Sequence, residues 1–387
     1  MRAVRKWIWR LLAAFVVALI VVGVWKREEI SRLIAVNRLF EPERIVENFS
    51  NMDQAFLNVQ IGDGASPVVP LPQGPRAILP ASVADFIEAR SVTSLVVLKD
   101  GALVHESYHL GTGPDDRRIS WSMAKSYLSA LTGIVLAEGD IGSLDDRVID
   151  YVPQLRGGAY QRATIRHVLT MTTGVVFDED YFDKHSDVNR MGRVLALGGE
   201  MDAFTAELQE TFAPPGDIWR YVSVDTHVLG MVVRGATGRS ITALMQEKII
   251  GPMGLEQAPY YLTDGAGVAF VLSGFNGTSR DYARFGQMFL QQGDWNGQQI
   301  VPQDWVIAST TPSAPTGAAE YGFGYQWWMP RDARPREYMA RGIYGQYLYI
   351  NEPQGVVIVV TAADRQFRDD AVQQANIAVL REIADSL

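Results

Sequence analysis

Ile119-Ser120-Trp121-Ser122-Met123-Ala124-Lys125-Ser126 decides how this chain is read. Ser122 and Lys125 form an S-x-x-K pair, and a helical apolar pattern follows at Tyr127, Leu128, Leu131, Ile134 and Val135. If a helix starts at Ser122, the i, i+3 spacing places the lysine amine beside the serine hydroxyl on one face. A serine hydroxyl is a weak nucleophile near neutral pH and needs an adjacent base. A lysine serves as that base when burial lowers its pKa. The helix N-terminus adds positive potential and free N–H groups for an oxyanion. Of the lysines at 6, 26, 99, 125, 184 and 248, only Lys125 has a serine three residues before it. Four residues of this kind also arise by chance at helix starts, so the surrounding chain must carry the assignment.

The 387 residues suffice for one large two-lobed domain or two ordinary ones. Hydrophobic content of 47% and charged content of 20% are those of a folded globular protein. A net charge of −9 argues against a nucleic-acid surface. The absence of cysteine removes disulfides, thiolate nucleophiles and Cys-metal sites.

Residues 1–27 read as a membrane anchor. Leu11 to Val24 is apolar and uncharged, with Trp7, Trp9 and Trp25 placed as interfacial aromatics. The stretch 7–25 is close to the roughly 20 residues a spanning helix needs and marks the lipid bilayer as a partner. Arg2, Arg5, Lys6 and Arg10 precede it, which holds the N-terminus in the cytoplasm and sends the rest across a bacterial inner membrane. The alternative is secretion after cleavage of a signal peptide, although no A-x-A site follows the apolar run. Residues 28–77 read as a short amphipathic helix and then a linker rich in Pro and Gly, including Gly62, Gly64, Pro67 and Gly74. The compact domain is expected to begin near Ile78 and to run to residue 387.

Within it, Thr93–Leu98 and Ala102–Tyr108 read as strands joined at Asp100-Gly101, a strong hairpin signal. The S-x-x-K helix follows and stops near Gly139. Residues 138–277 read as mainly helical. Phe177 to His185, acidic and aromatic without periodicity, suits a loop over a site. Strand patterns return at Tyr325–Met329, Tyr347–Ile350 and Val356–Thr361, and Ala371–Ile383 reads as a closing helix. The expected fold class is α+β: an antiparallel sheet flanked by helices (78–137 and 278–387) interrupted by a helical lobe (138–277).

Several stretches now align with one family. Ser122-Met123-Ala124-Lys125, Tyr221-Val222-Ser223, Leu169-Thr170-Met171-Thr172-Thr173-Gly174 and Gly293-Asp294-Trp295-Asn296-Gly297 stand in order at fitting spacing. Together they make the chain from Ile78 onward resemble the serine β-lactamase/penicillin-binding-protein superfamily, in the class C-like branch with 6-aminohexanoate-dimer hydrolases and esterases. The resemblance implies the β-lactamase/transpeptidase-like fold and an acyl-enzyme on Ser122. It implies Lys125 as base, Tyr221 as proton relay and an oxyanion hole from the N–H groups of Ser122 and Ile343. It also implies that Tyr181, Ser223, Gly342 and Tyr344 contact a small amide or ester substrate, and that no cofactor or metal takes part.

One departure matters. The K-T-G motif of lactamases and D,D-peptidases is missing, and Ala340-Arg341-Gly342-Ile343-Tyr344-Gly345-Gln346 stands in its place. With a pocket-facing residue at 340, strand alternation turns Arg341 away from the site. That favours neutral amides or esters over a β-lactam or D-Ala-D-Ala substrate. A D,D-peptidase or β-lactamase is the rival enzyme, and a non-catalytic membrane-tethered sensor is the rival outside enzymology. Ser223 is expected to cap the following helix. Trp327-Trp328 is assigned to core packing rather than to a cleft. The histidines lack metal-ligand spacing, and no G-x-S-x-G is present.

Overall fold

The architecture follows from the run Val92-Thr93-Ser94-Leu95-Val96-Val97-Leu98-Lys99. In the computed structural model, which describes residues 2–62, 67–317 and 319–387, this run is the strand β1 (Val92–Lys99). It is buried on both faces. Val96 and Leu98 enter one core, and Leu95 and Val97 enter the other. A strand apolar on both faces needs partners on both edges and a layer on each side. Its partners are β2 (Ala102–Tyr108), across a turn in which Asp100 and Gly101 have φ of 50° and 82°, and β7 (Val356–Ala362). The remaining strands are β3 (Gly322–Phe323), β4 (Trp328–Met329), β5 (Glu337–Gly342) and β6 (Gln346–Asn351). The antiparallel sheet runs in the order β2-β1-β7-β6-β5-β4-β3.

Helices cover both faces. α3 (Ser82–Ala89) and α8 (Asp370–Asp385) pack on the side of Leu95 and Val97. α7 (Ser279–Leu290) and the S-x-x-K helix α4 (Ala124–Glu138) pack on the other. α4 joins the sheet to the helical lobe and is covered almost all round; buried residues run unbroken from Ala124 to Val135. It stops at Gly139, which takes φ of 89°. The lobe contributes α5 (Asp187–Leu197) and α6 (Ser223–Thr237). The 138–277 segment is less purely helical than its sequence suggests. Tyr260–Leu262 and Phe275–Gly277 enter a four-stranded sheet with Asn58–Gln60 and Arg118–Ile119.

That sheet corrects the boundary expected near Ile78, which is 92% exposed. The stretch 28–77 is not a loose linker. After α1 (Arg2–Trp25), α2 (Arg27–Asn37) packs against α5, and Arg32 Nε donates to the Ala196 carbonyl at 2.9 Å. Leu39, Ile45, Phe49, Met52 and Phe56 are all buried in a core shared with Trp121 and Tyr344. The Pro/Gly count masked these apolar residues, whose short helices lack a long periodic run. Gly64 lies outside the described residues. α1 contains one helix, Arg5–Trp25, long and apolar enough to cross a membrane, and none of it is buried in the protein. Backbone hydrogen bonds from Lys26 N to Val22 O and from Ile30 N to Lys26 O carry the helical path into α2.

Candidate active site

The site lies where α4, α6 and the end of β5 meet. Ser122 sits in a 3-10 turn, Trp121–Met123, and the α-helix begins only at Ala124. The tighter turn still leaves Ser122 and Lys125 three residues apart at the helix entrance, with side chains 8% and 2% exposed. Trp121, one residue before Ser122, holds φ of 47°, an unfavourable conformation for a residue with a β-carbon. Packing holds it there: its ring lies 5.3 Å from Phe49 and 5.8 Å from Phe40, and Phe40 stacks on Tyr344 at 5.0 Å. The N-terminal segment therefore braces the turn that carries Ser122.

Lys125 Nζ donates to the Leu272 carbonyl at 2.7 Å and lies 5.5 Å from the Tyr221 ring centre. Burial pulls its pKa down to about 7, against an upward pull from the Glu179 and Asp225 carboxylates. Burial pushes the Tyr221 phenol up, as does Glu179, while the Ser122 and Ser223 hydroxyls and Arg341 draw it back. Tyr221 stacks on Trp328 at 5.4 Å. Ser122, Tyr221, Tyr181, Gly342 and Ile343 line one pocket of about 300 Å³. Tyr344 and Ser223 line the neighbouring cavity, with Tyr181 and Ile343 common to both.

Ser223 is not the helix cap. Val222 occupies that position, and Ser223 Oγ donates instead to Glu179 Oε2 at 3.2 Å. Glu179 is the site residue the sequence concealed. It also accepts from the Ser223 N–H and, at 2.9 Å, from the Tyr181 hydroxyl. Burial raises its pKa, and Lys125 and these donors pull it back. Asp178, Glu179, Asp180 and Asp183 look alike in an aperiodic loop, and nothing in their spacing singles out the buried one. Asp225 is likewise buried, accepting from Tyr160 at 2.7 Å and from Thr173 at 3.0 Å. Burial pushes its pKa up to about 8. Its signal was available: the lone carboxylate of α6, in a helix buried from Ser223 to Val233.

Two strand assignments need correction. Ala340 enters the core toward α4 and α7, and Arg341 faces the pocket lined by Ser122 and Tyr221, the reverse of the expected orientation. Alternation holds, but its phase is set by the core: Tyr338 and Ala340 fill it, so the long Arg341 points the other way. The guanidinium lies 4.6 Å from the Tyr321 ring and 5.1 Å from Trp328. Trp327 and Trp328 also divide. Trp327 is fully buried, whereas Trp328 begins β4 and lines the pocket. Among the described residues no cluster of His, Asp and Glu forms a metal site.

A buried serine–lysine pair at a helix entrance, with a tyrosine facing the same pocket and a strand end beside it, defines a serine hydrolase of the β-lactamase/transpeptidase fold. The beta-lactamase family model matches residues 81–382, and the chain belongs to that family. A 6-aminohexanoate-dimer hydrolase of Paenarthrobacter ureafaciens is 28% identical over 70% of this chain and 73% of its own. A putative 6-aminohexanoate-dimer hydrolase structure from Bacillus anthracis superposes with a TM-score of 0.79 at 23% identity, covering 89% of this chain and 95% of that one. A D-stereospecific amidohydrolase from Streptomyces has a TM-score of 0.55 at 19% identity, with 76% and 98% covered.

Proposed function

We propose that this protein cleaves amide or ester bonds of small molecules through an acyl-enzyme on Ser122. The observation that carries the reading is Lys125: a lysine buried at the helix entrance, three residues after Ser122, with its pKa drawn down to about 7, is available as a neutral base. In this mechanism Ser122 gives its proton to Lys125 Nζ as its oxygen bonds to the carbonyl carbon. The resulting oxyanion is held by the N–H groups of Ser122 and Ile343, a donor type worth roughly 3–4 kcal/mol each in the transition state. Tyr221 passes a proton to the leaving nitrogen or oxygen, that bond breaks, and Lys125 returns its proton to Tyr221. Water then releases the acyl group by the reverse sequence. Ser223, Tyr181, Gly342 and Tyr344 shape the substrate space. The dimer-hydrolase relatives support a small linear amide or ester as substrate.

A fluorophosphonate should add one label per chain, mapped to Ser122. A label that persists in Ser122→Ala would sink the assignment. Arg341 favours a second reading within the same chemistry, in which the substrate carries an anion near the scissile bond, as penicillins and D,D-peptides do. Comparing kcat/KM for a penicillin with that for p-nitrophenyl butyrate separates the two.

We infer further that residues 7–25 lie in a bilayer with the hydrolase domain outside the cytoplasm. Arg2, Arg5, Lys6 and Arg10 ahead of the apolar run support that orientation.

A further inference from the structure

A second cavity, of about 290 Å³, adjoins the catalytic pocket. Its walls are Val36, Leu39 and Phe40 from α2 and the turn after it, and Val188, Met191 and Leu195 from α5. Tyr181 and Ile343 line both spaces and form the boundary between them. Ile343 carries the proposed oxyanion N–H, so a carbonyl held there has one space on each side. Tyr221, the proposed proton donor to the leaving group, lines the catalytic pocket and not the cavity. The leaving group therefore occupies the Tyr221 side, and the acyl group is left with the cavity.

The cavity's chemistry selects the acyl group. No Asp or Glu lines it among the described residues, and its charged residues are Lys184 and Arg193, both cationic. An acyl chain ending in an ammonium, such as 6-aminohexanoyl, would meet like charge and, although Asn37, Asn189, Ser223 and Ser273 are polar, no carboxylate to pair with. Taking each methylene as about the ~30 Å³ of a liquid water, the space holds a chain of up to roughly ten carbons.

Building on the acyl-enzyme reading of Ser122, we propose that this enzyme selects substrates with an uncharged, medium-length apolar acyl chain, housed between α2 and α5. The specificity would then differ from that named for the dimer-hydrolase relatives. Each buried methylene contributes roughly a fourfold gain in kcat/KM.

The test uses the full chain with p-nitrophenyl acetate, hexanoate, octanoate and 6-aminohexanoate below their aggregation limits. The expected kcat/KM rises at least tenfold from acetate to octanoate, and the 6-aminohexanoyl ester falls at least tenfold below hexanoate. Gly192 lines the cavity, and a β-carbon added there meets no atom within 4 Å. Gly192→Leu should therefore fold and lower the octanoate-to-acetate ratio at least fivefold. That ratio is taken within one variant, so a general loss of active enzyme cancels. Turnover of acetate with a flat chain-length profile, or equal rates for hexanoyl and 6-aminohexanoyl esters, overturns the acyl cavity and leaves the Ser122 mechanism standing. No turnover of any ester together with no label on Ser122 overturns the mechanism itself, and the acyl cavity with it.

Discussion

Lys125 Nζ donates a 2.7 Å hydrogen bond to the carbonyl oxygen of Leu272, a group that can only accept. A neutral amine so held keeps one lone pair, which is what a base for Ser122 requires. The carbonyl thus orients the amine without neutralising it, while burial lowers the cost of losing its proton.

The first prediction is a pH profile. As the proposed base, Lys125 has to be unprotonated, so kcat/KM should rise with pH through about 7 and level off above it. Lys125→Ala should reduce turnover by about 10²- to 10⁴-fold with the fold retained. Lys125→Arg should not restore it, because a guanidinium stays protonated in proteins. Substantial activity in the Arg variant would reduce Lys125 to a counter-charge.

Glu179 gives a second, signed prediction. Its carboxylate raises the Lys125 pKa by Coulomb attraction. Glu179→Gln removes that charge while retaining a side chain able to reach Ser223 and Tyr181. The rising limb of the pH profile should then move to lower pH. A limb that stays in place would show that Glu179 does not act on Lys125 electrostatically.

The conformation of Gly342 is fixed by proximity. A β-carbon there would stand 2.6 Å from the Ser120 carbonyl oxygen and 3.0 Å from the Trp121 β-carbon. Both neighbours lie within two residues of Ser122, and the first is backbone. Gly342→Ala should force β5 from Ser122, costing about 1–3 kcal/mol of stability and at least tenfold in kcat. Thermal unfolding and steady-state kinetics measure both, and an unchanged kcat would mean that the strand end is free to shift without harm.

Much of this was legible in local pattern. Asp100-Gly101 marked the β1–β2 hairpin because an Asp-Gly pair readily takes the positive φ at both positions that one of the tight hairpin turns requires. Ser122, Lys125 and Tyr221 stood out by residue type and spacing, and Gly139 ended α4 as expected. What stayed hidden depends on distant contacts. Phe40 and Phe49 look like linker residues until Trp121 and Tyr344 are placed against them. Glu179 is one acid among four until Ser223 and Tyr181 donate to it. Arg341 could be assigned to one face or the other, and a period of two cannot say which face the core claims.

The membrane reading predicts that the mature protein keeps residues 1–27 and remains in the membrane pellet at high salt. A C-terminal reporter that functions only outside the cytoplasm should be active. Recovery of a soluble form beginning near residue 25 or later would favour a cleaved signal instead.

The last prediction concerns Arg341. Its guanidinium faces the catalytic pocket, against the rings of Tyr321, Trp328 and Tyr347. The other two arginines lining that pocket are engaged: Arg331 pairs with Asp370 at 2.7 Å and Arg368 with Asp180 at 2.9 Å. No carboxylate lies within ion-pair distance of Arg341 among the described residues. Aromatic faces hold the cation in place without consuming its donors. A substrate carboxylate on this side can therefore form a charge-assisted hydrogen bond of roughly 1.5–3 kcal/mol, about 10- to 150-fold in kcat/KM. Arg341→Met should lower turnover of substrates with an anionic leaving portion by that factor. Their neutral methyl esters should change by less than about threefold. Equal losses on both would mean that the guanidinium only props the Tyr321–Trp328 wall. A loss confined to the anionic series would show that the cation absent with the K-T-G motif is supplied one residue later, on the face of β5 that the core leaves free.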